Sequence, residues 1–120
     1  MTSTRREKDY HPPLLGPGFH PLHIENIDSK LVQPFEDSTA RRTLATGLKN
    51  FVHFLSMRGV KGELWIDGSF MTHNPRPKDV DVVLLLPHGL FARLSSSVQS
   101  ELDYVTDKAN RVEMRALYIR

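Results

Sequence analysis

The chain is expected to adopt an α/β (α+β) fold, a small mixed β-sheet packed with helices. Three observations support this. Apolar residues of helical period run through 44–55, two strand-like runs follow at 62–67 and 79–86, and a second helical stripe at 90–105 leads into a last strand-like run. The element order is therefore helix, strand, strand, helix, strand, and 120 residues suffice for one core and not two.

Residues 1 to about 22 carry Pro12, Pro13, Pro17 and Pro21 and read as an extended, turn-rich arm. "LHIENIDSKLV" then forms a short helix that Pro34 stops. The division that results is an arm with a short helix at 1–36 and a domain at 37–120. Asp37 or Ser38 caps an amphipathic helix running to about Arg58, with Leu44, Leu48, Phe51, Val52 and Leu55 on one stripe and Gly59 beyond its end. "GELWID" is a strand. Trp65 and Phe70 are expected to pack in the core rather than serve as a base-stacking platform. "DVDVVLLL" is a second strand, and its unbroken apolar end implies cover on both faces. Pro87 and Gly89 end it. Leu90, Phe91, Leu94, Val98, Leu102 and Val105 predict one helix to about Lys108, and "RVEMRALYI" a third strand.

Composition excludes several function classes. Sixteen basic and fourteen acidic residues give +2, and no helix carries a dense basic face, so a nucleic-acid binder is disfavoured. No apolar stretch approaches the roughly 20 residues of a membrane span. The first residues, "MTSTRREKDYHPP", lack the apolar centre of a secretory signal. Cysteine is absent, so disulfides and thiolate metal sites are impossible, and a cytoplasmic location is expected. The "HPLH" at 20–23 has no neighbouring ligands that would make a zinc site.

The informative stretch is "LWIDGSFMTHNPRPKDVDVVLLL". Asp79 and Asp81 are two apart, so on a strand they share a face with Cα atoms about 6.6 Å apart. That spacing suits two carboxylates that share a hard divalent cation, because Mg²⁺ is usually held by one or two carboxylates together with substrate phosphates. Without a cation the two charges repel and one pKa should rise. Gly68 allows backbone to approach a phosphate closely, and the Ser69 hydroxyl can donate to its oxygens. His73, Arg76 and Lys78, in the returning loop, are candidates to neutralise a triphosphate.

A strand ending in Gly-Ser, a short loop, then Asp-x-Asp and an apolar run resembles the polymerase-beta-like nucleotidyltransferase superfamily. The similarity spans about Ser38 to Leu86. It is greatest to short bacterial and phage-type members of unassigned activity, with "GPGFHP" as the arm and "WIDGSFMTHNPRPKDVDVV" as the core. The resemblance implies a minimal nucleotidyltransferase that uses Mg²⁺ or Mn²⁺. It would move a nucleoside monophosphate from an NTP to a hydroxyl of protein, RNA or a small molecule. Asp79 and Asp81 would bind metal, and Gly68 and Ser69, helped by Arg76 and Lys78, the phosphates. Active members carry a third carboxylate on a later strand, and Glu113 is the matching residue, one methylene longer than the usual aspartate. Asp103 and Asp107 are weaker candidates, and Asp67 is a turn residue or an outer partner of the site. The same resemblance implies a protein partner or a homo-oligomer, as in toxin–antitoxin or phage-defence pairs, with nucleic acid only as acceptor. It also allows a catalytically inactive module that senses nucleotide or binds a partner.

Overall fold

The computed structural model describes residues 11–15, 20–35, 38–108 and 112–120. A 3₁₀ turn at Ile24–Asn26 leads into the short helix α1 (Ile27–Leu31), and the long helix α2 (Thr39–Met57) follows. Strand β1 (Glu63–Asp67), a 3₁₀ turn at Ser69–Met71 and strand β2 (Val80–Leu85) come next. The chain closes with α3 (Leu90–Arg93), α4 (Ser96–Val105), β3 (Asp107–Lys108) and β4 (Met114–Ile119).

Ser38 is the α2 cap: its Oγ accepts from the Arg41 amide at 3.1 Å, and its own hydroxyl donates to the Pro75 carbonyl at 2.7 Å. Asp37, the alternative cap, lies outside the described residues. Gly59 follows the helix with φ of 68°, the left-handed conformation glycine adopts without strain. Leu44, Leu48, Phe51 and Leu55 are buried, as the stripe requires.

The four strands run in the order β1-β2-β4-β3, and every described pair is antiparallel. The α+β class holds, but the sheet is antiparallel rather than mixed. The only helical element between β1 and β2 is a 3₁₀ turn, so the connection is a loop and not the helical crossover that usually joins a parallel pair. An antiparallel sheet tolerates one wet face, and β2 uses that freedom. Val80, Val82 and Leu84 are buried under the helices while Asp81, Val83 and Leu85 on the other face are only half-buried, so cover on both faces is not found. Helix α2 packs tightly on the sheet at Gly47, where an added Cβ would stand 2.7 Å from Ile119 Cγ2.

The helix expected over 90–108 is two helices. Leu94 is extended (ψ 155°), and Ser95 starts α4 by accepting from the Val98 amide at 3.2 Å. A local cap here outcompetes the apolar period, and the end of the stripe becomes β3. Buried Ile27, Leu31 and Val32 join the same core, so packing continues across the change of sequence character at 36/37.

Candidate functional site

The register of the sheet gathers the acids. Asp67 at the end of β1 lies directly opposite Asp81 near the start of β2, and Tyr118 of β4 lies opposite Asp81 on its other side. Directly opposed residues have Cβ atoms about 4.5–5.5 Å apart. Asp79 precedes β2 by one residue and is two positions from Asp81, on the same open face. The Asp81 carboxyl is held above its ordinary value of 3.8, first by burial and then by the charges of Asp79 and Asp67. Its Oδ1 is buried with no hydrogen-bond partner. The rise expected for one member of the pair is present, on Asp81.

Gly68 makes this crowding possible. Its φ of 81° and ψ of −165° form a backbone conformation essentially restricted to glycine, and a Cβ there would collide with Asp81 Oδ2. Bare backbone therefore lies against the carboxylate. The next residues turn once, with the Thr72 hydroxyl donating to the Ser69 carbonyl at 2.7 Å. No hydrogen bond of the Ser69 hydroxyl itself is seen among the described residues.

The loop from Phe70 to Pro75 is pinned from both sides. Arg41 of α2 is fully buried and places its five N–H donors on four carbonyls. Nε and Nη2 donate to Asn74 O (3.0 and 2.7 Å), Nη2 also to Thr72 O (2.6 Å), and Nη1 to Phe70 O (2.8 Å) and Leu31 O (2.9 Å). Its guanidinium lies 3.8 Å from the Phe35 ring centroid. Carbonyl dipoles are its hydrogen-bonded partners in place of a carboxylate, and burial lowers its pKa to about 10. On the opposite side the arm bonds to the alternate residues: Leu14 N donates to Met71 O (3.0 Å) and His73 N to Pro12 O (2.9 Å). Residues 12–14 thus lie antiparallel along the loop, through an isolated bridge between Pro13 and Thr72.

Other expected residues fall elsewhere. Glu113 precedes β4, and its Oε2 accepts from Gly89 N at 3.3 Å. Met114 is opposite Leu85 whereas Tyr118 is opposite Asp81, so Glu113 sits at the far end of the sheet from the aspartates. It does not complete the site. Asp103 pairs with buried Arg115, and Asp107 lies opposite Ala116. His73, Arg76 and Lys78 are exposed in the returning loop, and no ion pair joins them to the aspartates among the described residues. Arg120 is the cation beside the acids, with Nε 3.8 Å from Asp79 Oδ2. Trp65 is 46% exposed on the open face, correcting its expected place in the core, while Phe70 is fully buried as expected.

Two residues of the site were not foreseen, Arg41 and Arg120, and Asp67, expected as a turn residue or an outer partner, lies directly opposite Asp81. Strand alternation and a β1–β2 hairpin would have suggested Asp67. Nothing in the sequence marks Arg41 off from Arg42. Among the described residues no three His, Cys, Asp or Glu side chains are arranged to hold a metal ion by themselves. Mg²⁺ asks less of the protein when phosphates supply the remaining ligands, and the unpartnered Asp81 oxygen is the donor it would use. The residues fit a cation that arrives with an anion. A cavity of about 340 Å³ beside Leu55, Val60 and Leu64 lies at the other end of β1 from the aspartates.

Among the described residues no helix is long and apolar enough to cross a membrane. No curated protein and no solved structure matches the chain. Its sequence does match one family pattern over residues 8–118, and the chain belongs to that family, DUF6932, a family of unknown function.

Proposed function

We propose that the acidic end of the open sheet face binds a nucleoside triphosphate with Mg²⁺ or Mn²⁺ and transfers its nucleoside monophosphate to an acceptor hydroxyl. The observation that carries this reading is Asp81: a half-buried carboxylate between two other aspartates, with one oxygen unpartnered and glycine backbone against the other. Such a group is costly to keep unless a cation meets it. Asp79 and Asp81 hold the cation, which when bound supplies charge neutralisation on the phosphates. Gly68 and Ser69 bind phosphate oxygens, and Arg76 and Lys78 add positive charge from the loop. The acceptor oxygen bonds to the α-phosphorus, the bond to the β-phosphate oxygen breaks, and pyrophosphate leaves. Asp67, taking the place expected for Glu113, accepts the hydroxyl proton. The acceptor is a hydroxyl of protein, RNA or a small molecule, and the setting is cytoplasmic, with a partner protein or second copy gripping the acceptor, as in toxin–antitoxin or phage-defence pairs.

One observation favours a second reading, a nucleotide sensor or partner-binding module without catalysis. Beside Asp81 the open face of β4 presents Ala116 and Tyr118, and no carboxylate. Incubation with Mg²⁺ or Mn²⁺, each labelled NTP and cell extract separates the two. Label transfer lost in both Asp79→Asn and Asp81→Asn supports transfer. Nucleotide binding without transfer supports the sensor, and a folded protein that binds neither cation nor nucleotide refutes both.

A further inference from the structure

The open face carries more than acids. One row across the sheet reads Asp67, Asp81, Tyr118, and the next reads Trp65, Val83, Ala116. Tyr118 is 61% exposed and Trp65 46%, while Val83 and Ala116 between them are short and half-buried. Two aromatic side chains thus stand on a low apolar floor, beside the acidic row. Arg120 extends the same face, its guanidinium 5.4 Å from the Tyr118 ring centroid and its Nε within reach of Asp79. Exposed aromatics next to a cation-seeking acidic end match a ligand with two unlike halves, one polyanionic and one aromatic.

We propose that this face is the base-binding half of the nucleotide site, with the nucleobase stacked on Tyr118 over the Val83–Ala116 floor and Trp65 as the neighbouring wall. The inference rests on the reading above, in which the aspartates take a cation and phosphates. It adds that the ligand is a nucleotide and not a bare polyphosphate, and that the base is held by its ring face. Stacking of this kind tolerates any base, since every base has a π-face. The site therefore selects weakly among ATP, GTP, CTP and UTP.

The test compares MgATP with magnesium tripolyphosphate, which has the phosphates and no base, by titration calorimetry on the full chain. Trp65 is the single tryptophan, so its fluorescence gives an independent signal. The expected result is that ATP binds about tenfold or more tightly than tripolyphosphate and quenches Trp65. Tyr118→Ala should remove that advantage while leaving tripolyphosphate and Mn²⁺ binding unchanged. Tyr118→Phe, which keeps the ring, should restore it. Tyr118 is exposed, so circular dichroism should show both variants folded. Equal binding of ATP and tripolyphosphate, with Tyr118→Ala silent, overturns the base platform and leaves the acidic site standing. Failure of all three, Mn²⁺, tripolyphosphate and ATP, to bind overturns both.

Discussion

The Asp81 carboxylate is poorly stabilised: it sits beside Asp79, faces Asp67, and leaves one buried oxygen without a donor. Between its ordinary value of 3.8 and its raised native value, the folded chain binds more protons than the unfolded chain, so stability falls as pH rises through that window. Below 3.8 the contribution is fully present, and above the raised value it is gone. Asp81→Asn should flatten this limb of the stability profile and raise the metal-free melting temperature at pH 7 by a few degrees, a change on the order of 1 kcal/mol. The same substitution should remove any stabilisation by Mg²⁺ or Mn²⁺. Thermal melts across pH, with and without cation, check both. Gly68→Ala should have the opposite effect on the fold. Its positive φ and the collision with Asp81 Oδ2 predict a loss of about 1–3 kcal/mol in urea unfolding, with the carboxylate displaced. The Asp79–Asp81 pair and Gly68 were legible because each follows from a local rule, strand alternation or glycine backbone freedom. The place of Asp67 was not, since it depends on which residues β1 and β2 set opposite each other.

At the scale of elements, the loop between β1 and β2 is held by parts distant in sequence. Arg41 stacks between Phe35 and Phe70 and satisfies carbonyls on two separate segments. Lysine has three donors on a point charge and cannot match that fork. Arg41→Lys should therefore destabilise by about 2–4 kcal/mol in urea unfolding, the scale of a broken buried network. Removing residues 1–15 is gentler, since among the described residues it takes away the backbone bonds to Met71 and His73 and the packing of half-buried Leu14 against the core. Hydrogen exchange should then speed at the His73 amide and stay slow at the Val82 amide in the middle of the sheet. The docking partner of residues 12–14 was not readable from the prolines around them, because a bridge to Thr72 joins segments with no local signal between them. The 90–108 region misled for a related reason. Its apolar period is continuous, yet the Ser95 cap breaks the helix and β3 takes residues 107 and 108.

Across the whole molecule, one helical layer covers one face of an antiparallel sheet and leaves the other face to the acids and aromatics. The covered face follows from composition: Leu48, Val82 and Leu84 have almost no exposure, and alternation along β2 puts its apolar residues there. The open face was hidden by Val83 and Leu85, which read as a second buried side. Glu113 went astray at this scale too, since a strand-borne carboxylate looked suitable until the register put it at the wrong end. The account as a whole reduces to the proposed cation site at one end of that face, where Asp79 and Asp81 would hold a metal that arrives with phosphates. Mn²⁺ binding followed by electron paramagnetic resonance, on the chain and on Asp81→Asn in the presence of tripolyphosphate, addresses it most directly. Saturable binding by the chain, weakened at least tenfold in Asp81→Asn, is the predicted result; equal binding by the two proteins, or none by either, contradicts it.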